Sequence, residues 1–161
     1  MDEHPIAQYI IDLLSDTGCW HESFRHEPVR TSEEAAAERE NYTLHQGAKA
    51  IIVRVKIPNE GKRFVMLVFP ADCKFDGAKV KEVLGAKDIR FATEDEVVEI
   101  TGGVRPGGVP PFGKRFGLQV VCDPSLFGNE KIVFNAGRTT SIGMMSADYK
   151  RFVEPVVAEI L

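Results

Sequence analysis

The chain has 161 residues, of which 43% are hydrophobic, 9% aromatic and 27% charged, the composition of an ordinary globular domain. Its 24 acidic residues outnumber its 20 basic ones for a formal charge of -4, which excludes capture of nucleic acid by a uniformly basic surface but leaves room for a local positive patch. No apolar run reaches the ~18 residues of a membrane helix, and the start Met1-Asp-Glu-His-Pro5 lacks the basic and apolar segments of a secretory leader.

In chain order, Ile6, Tyr9, Ile10, Leu13 and Leu14 fall on one helical face, giving an N-terminal helix over about 5–17 that Gly18 ends. Thr31-x-x-Glu34 has the form of a capping box and opens a second helix to about Glu40. Ala50 to Ile57 and Arg63 to Phe69 are β-branched and aromatic runs separated by Pro58-Asn-Glu-Gly-Lys62, an antiparallel hairpin. Asp76 to Leu84 reads as a helix stopped by Gly85, and Ile89 to Ala92 as a short strand. Thr93-x-x-Glu96 caps another helix, which Gly102-Gly103 ends. Leu118 to Cys122, Lys131 to Phe134 and Thr139 to Met144 are three further strands. Ser146 can cap a last helix containing Tyr149, Phe152, Val156 and Ile160, with Pro155 as a possible break. Mixed strands and helices without regular βαβ alternation predict one α+β domain over 1–161, its mixed, mainly antiparallel sheet flanked by helices.

Cys19, Cys73 and Cys122 are odd in number and widely spaced, so they form no disulfide framework and no CxxC pair. A reducing, cytoplasmic setting is expected. Cys19, His21, Glu22 and His26 are the densest set of candidate metal ligands, but no second ligand pair accompanies them, and no metal is expected.

Three places are poorly explained by folding alone. Alternation along Ile51, Val53, Val55 and Ile57 puts Lys49 on the apolar face of its strand, where it either lines a cleft, aimed at an anionic or carbonyl oxygen, or snorkels to water. The loop Gly102-Gly-Val-Arg-Pro-Gly-Gly-Val-Pro-Pro-Phe-Gly113 holds five glycines and three prolines. It is either a rigid crossover or a way of presenting amide N–H groups to a developing oxyanion. Phe134-Asn-Ala-Gly-Arg-Thr-Thr-Ser-Ile142 and Asp148 supply polar groups that suit a pocket, although Asn135 and Gly137 are also turn formers and Asp148 sits where a helix start favours a carboxylate.

In this order the pieces resemble the YbaK/ProX family of aminoacyl-tRNA deacylases, free-standing relatives of the editing domain of prolyl-tRNA synthetase. The resemblance runs over about 24–153. It rests on His26-Glu-Pro-Val-Arg-Thr-Ser-Glu-Glu-Ala35, Gly47-Ala-Lys49, the GxxxP loop from Gly107 to Pro111, Asn135-Ala-Gly-Arg138 and the helix start at Asp148. It implies the editing-domain fold and hydrolysis of the ester joining a wrong amino acid to the terminal adenosine of a tRNA, with no metal or organic cofactor. Lys49, Gly107, Gly108 and Pro111 would carry the catalytic site, and Val109, Pro110, Phe112, Asn135, Gly137, Arg138, Ser141 and Asp148 would bind substrate. Alanine-clearing members carry a histidine in the segment where this chain has Phe134-Asn-Ala136, and Asn135 is no general base, so the amino acid removed stays open.

The expected partners are the aminoacylated acceptor end of tRNA and an aminoacyl-tRNA synthetase. Arg54, Arg105, Lys114 and Arg115 are the candidate tRNA contacts, with Lys56, Lys62 and Arg63 beside them; exposed basic residues also serve to keep strand edges soluble. Two other readings fit the same residues: a non-catalytic tRNA- or synthetase-binding module of this fold, and a hydrolase of another small ester.

Overall fold

The two longest β-branched runs become the central hairpin of the fold. In the computed structural model, which describes residues 5–28 and 41–161, β2 (Ala48–Ile57) and β3 (Gly61–Pro70) pair antiparallel in unbroken register from Ala48 opposite Pro70 to Ile57 opposite Gly61. β4 (Asp88–Phe91) adds antiparallel to the far half of β2, while β5 (Gln119–Cys122) and then β8 (Val156–Val157) add parallel beyond β3, giving the order β4-β2-β3-β5-β8. A second, antiparallel sheet has β7 (Thr140–Met145) between β1 (His21–Arg25) and β6 (Lys131–Asn135). A parallel bridge between Gly47 and Val133 joins the two sheets.

Period-two alternation divides the central strands between two cores. Ile52, Met66, Val68, Val120 and Cys122 face the three-stranded sheet, the helix α1 (Ile6–Asp16) and the glycine loop. Val53, Val55, Val65, Leu67, Phe69 and Val121 face the helix α2 (Gly77–Leu84) and Ile160. Covered on both sides, these strands read as the near-continuous apolar runs seen in the sequence.

The caps explain the short helices. The Asp76 carboxylate accepts from the Ala78 amide at the start of α2, and Gly85 ends it at φ 65°. Thr93 and Glu96 close a reciprocal capping box on α3 (Glu94–Thr101). The last helix, α4 (Ser146–Val153), corrects the expectation for this region. It stops before Pro155, and Val156 enters β8 instead of extending an apolar helical face. Its Ser146 hydroxyl donates to the Asn129 carbonyl and caps nothing. The helix expected over 31–40 lies outside the described residues.

Candidate functional site

The glycine-proline loop is fastened to the end of β6 by two hydrogen bonds. Asn135 Nδ2 donates to the Gly107 carbonyl at 2.7 Å, and the Gly137 amide donates to the Gly108 carbonyl at 2.7 Å. Gly107 has φ 91°, and a Cβ on Gly108 would lie 2.9 Å from the Gly137 carbonyl carbon and 3.0 Å from Arg138 N and Cγ. Only glycine lets the loop lie this close. Behind it, Val109, Pro110, Pro111 and Phe112 are buried, and the Phe112 ring meets Phe134 and Tyr149. Tyr149 donates its hydroxyl to the Pro111 carbonyl at 2.6 Å, and its complete burial raises its pKa and keeps that proton in place. The amides of Val109 and Phe112 have no hydrogen-bond partner among the described residues, although both residues are buried.

A residue given no site role from the sequence joins this cluster. His26, one residue past β1, places Nε2 2.8 Å from Ser141 Oγ and Nδ1 2.9 Å from the Glu27 carbonyl. Facing the Glu27 carbonyl, Nδ1 is the donor of that pair, and Nε2 meets the Ser141 hydroxyl. The Ser141 hydroxyl donates to Asn135 Oδ1 at 3.2 Å. A polar chain runs His26–Ser141–Asn135–Gly107, from the three-stranded sheet into the loop. His26 and Ser141 are 115 residues apart, and no local spacing points to the contact.

Lys49 stands half-buried at the start of β2, in register with Phe69. β4 covers β2 only from Val53 to Lys56, so the first residues of β2 have an edge open toward β6. Gly47 bridges Val133 there, and Lys49 and Asn135 each lie two residues past that bridge. The Lys49 side chain makes no hydrogen bond or ion pair among the described residues.

Other candidates stand apart from this cluster. Asp148 is paired with Arg151 at 3.0 Å, and Arg151 in turn reaches Cys19 Sγ at 3.3 Å, which ties both to the end of α1. Arg105 is paired with Glu94 at 2.7 Å and Lys114 with Glu154 at 2.6 Å, all four exposed, while Arg115 lies 5.0 Å over the Tyr9 ring. Arg54 lies in a shallow groove of about 280 Å³ with Lys56, Lys62, Asp88, Ile89 and Arg90.

Two ligand-like clusters bear on a metal. In β1 alternation separates His21 from Glu22: His21 turns to the Cys19 carbonyl and Ser15, whereas Glu22 accepts from Tyr42 at 2.7 Å. His45, Asp72 and Cys73 bring ligand atoms within 4.8 Å of one another, and hydrogen bonds to the Asp72 carboxylate from His45 Nδ1 at 2.9 Å and Cys73 Sγ at 3.3 Å account for that grouping. Desolvation and the Asp72 carboxylate raise the Cys73 pKa.

A family model described as the aminoacyl-tRNA editing domain matches residues 26–152. The chain is 36% identical over 150 residues to the Escherichia coli (strain K12) protein named multifunctional Ser/Thr-tRNA deacylase ProXp-y, covering 92% of this chain and 88% of that one. It is 32% identical over 98 residues to proline--tRNA ligase of Ralstonia pickettii, 61% of this chain against 17% of the ligase. Among solved structures, a hypothetical protein superposes with a TM-score of 0.79 at 27% identity over 94% of this chain and 97% of the other. A candidate trans-editing enzyme for prolyl-tRNA synthetase gives 0.79 at 22% identity over 99% and 98%, a likeness of fold.

Proposed function

The chain belongs to the aminoacyl-tRNA editing domain family, and on that premise we propose that it is a free-standing deacylase that hydrolyses mischarged aminoacyl-tRNA around the loop held by Asn135. Water adds to the ester carbonyl, the carbonyl oxygen becomes an oxyanion, and collapse expels the ribose oxygen. That oxygen takes up a proton, and the amino acid leaves as its free acid. The ester is already activated, so positioning and oxyanion stabilisation suffice and no serine nucleophile is needed.

The observation that supports this reading is that Val109 and Phe112, two buried residues, have amides with no hydrogen-bond partner among the described residues, in a loop whose preceding carbonyls are fixed by Asn135 and Gly137. On this reading Gly107 to Pro111 hold the ester, the Val109 and Phe112 amides are offered to the oxyanion, and Lys49 attracts the phosphate or carbonyl side of the substrate. Backbone amides, an imidazole and a hydroxyl border the loop, and the proposed addition of water needs no metal. The identity to the E. coli protein favours seryl and threonyl esters, whose hydroxyls suit hydrogen bonding to the polar row of Asn135 and Ser141. The setting proposed is the cytoplasm, where unpaired cysteines persist as thiols, with an aminoacyl-tRNA synthetase as the partner that supplies mischarged product.

The test is a panel of tRNAs bearing Ser, Thr, Ala and Cys esters, run with the wild type and Lys49→Ala. Cleavage of the seryl or threonyl ester well above buffer, with a loss of at least about a hundredfold in kcat/KM for Lys49→Ala, is expected. No cleavage of any ester would remove the enzymatic reading, and full activity of Lys49→Ala would remove the lysine from the site.

A further inference from the structure

We propose that the exposed half of the β4-β2-β3 sheet is a docking surface for the phosphate backbone of the acceptor-stem duplex, an assignment that rests on the reading of the site given above. Two cross-strand rows define it. Arg90, Arg54 and Phe64 lie side by side across the three strands, and Asp88, Lys56 and Lys62 form the next row. Like charges directly opposite one another destabilise a sheet, yet here Arg54 faces Arg90 and Lys56 faces Lys62. Arg90 is neutralised by a bidentate contact with Glu96 at 2.8 and 2.9 Å. Arg54, Lys56 and Lys62 have no ion pair among the described residues, so Asp88 is left as the near anion for three cations. In a chain of formal charge -4 this concentration of unpaired positive charge calls for an anionic partner.

Location selects the partner. Alternation puts Arg54 and Lys56 on the β2 face that carries Ile52, and Ile52 packs in the same cluster as Val109, Phe112 and Phe134. The basic rows therefore continue the sheet face on which the loop sits. From Ala48, which lies on this same face beside the Gly47–Val133 bridge, to Arg54 and Lys56 the strand advances roughly 20 to 26 Å at ~3.3 Å per residue. A stacked nucleotide strand advancing ~3.4 Å per step covers that in about six to eight nucleotides, past the unpaired tip and onto the first base pairs of the stem. Arg105 and Lys114, each held by a carboxylate, contribute little to this surface.

The probe is an uncharged RNA hairpin reproducing an acceptor stem with its CCA end, and its dissociation constant is measured as a function of salt. Lys56→Gln/Lys62→Gln is expected to weaken binding roughly tenfold at low salt and to flatten the log–log salt slope by about two. Single Lys62→Gln, at the exposed end of the hairpin, gives about half that change in slope. Lys79→Gln/Lys81→Gln on α2, which covers the other sheet face, leaves both quantities unchanged. Unchanged affinity and slope in both patch variants, an equal loss in the α2 variant, or equally tight binding of a polyglutamate peptide of matched charge would overturn the assignment. A protein that binds the hairpin through this face and cleaves no ester loses the enzymatic reading alone; one that deacylates without using the face loses this surface alone.

Discussion

Asn135 holds Gly107. Its Nδ2 donates to the Gly107 carbonyl over 2.7 Å, and through that bond the end of β6 sets where the glycine-proline loop lies. Asn135→Ala removes the donor without disturbing the buried Phe134 and Ala136 on either side. A misplacement of about 1 Å at a reacting centre costs about a hundredfold in rate, and kcat/KM for deacylation is expected to fall by that order. Stability should fall by only about 1 kcal/mol, the net worth of one neutral hydrogen bond. Asn135→Asp, which places a carboxylate against the carbonyl, should lose at least as much activity. Steady-state kinetics beside thermal melts separate the two effects, and an Asn135→Ala enzyme of wild-type kcat/KM would disconnect this bond from catalysis.

Gly108 is the second constraint on the same loop. A methyl group there would meet backbone atoms of Gly137 and Arg138 at 2.9 to 3.0 Å, and backbone yields less readily than the tip of a side chain. Gly108→Ala is therefore expected to push the loop from β6, to cost about 1–3 kcal/mol in stability, and to reduce kcat more than the melting shift explains. Denaturant titration and single-turnover kinetics check this. Full activity would mean that the loop shifts freely and that its close approach is not what the chemistry uses.

Much of the scaffold was legible because local chemistry dictated it. Thr93 caps a helix where its spacing said it would, Gly85 ends the one before it, and the Ala50 and Arg63 runs pair across a turn in which Asn59 and Gly61 take positive φ. β1 was hidden because His-Glu-Ser-Phe-Arg carries no apolar alternation; pairing with β7 makes it a strand. Splitting of the strands into two sheets depends on contacts such as Gly47–Val133, which no window of sequence contains. At the site, Gly107 and Asn135 were both singled out, yet the bond that joins them spans 28 residues and is a property of the fold. His26 drew notice as a possible ligand because histidine next to Cys and Glu resembles one; its partner was a serine far along the chain.

His26 gives the third prediction. It contacts Ser141, which contacts Asn135, so it acts as a positioning residue for the loop. His26→Ala should lower kcat/KM about tenfold or more with little change in KM. His26→Gln retains an amide group able to reach the Ser141 hydroxyl, and it should recover a substantial part of the loss. A merely structural role would show as parallel falls in melting temperature and activity for both variants. A rate lost in Ala and restored in Gln, at equal stability, marks positioning, and wild-type kinetics in His26→Ala would detach the histidine from the site.

Asp123 supplies the pH prediction, at the opposite side of the central sheet from the loop. Buried at the end of β5, it meets a desolvation penalty that pushes its pKa up. Hydrogen bonds from the Ser125 hydroxyl and amide and from the Ile160 amide outweigh that penalty and hold the pKa below the ordinary aspartate value. A carboxylate depressed in the folded state contributes stability that is fully present above its unfolded value, about 3.9, and that disappears as pH falls through the lower folded value. Asp123→Asn sets an NH2 or a weaker carbonyl acceptor against donors that need a charged oxygen, and the expected loss near neutrality is about 2–4 kcal/mol. Because the wild type forfeits the same interaction in acid, the gap in melting temperature between the two proteins should narrow as pH is lowered below about 4. The Ile160 amide and the two-residue strand β8 should exchange hydrogen faster in the variant, since Asp123 pins the chain beyond Pro155 to β5. A gap that stays constant from pH 7 down to pH 3 would show that the carboxylate's charge does not hold the C-terminal segment in place.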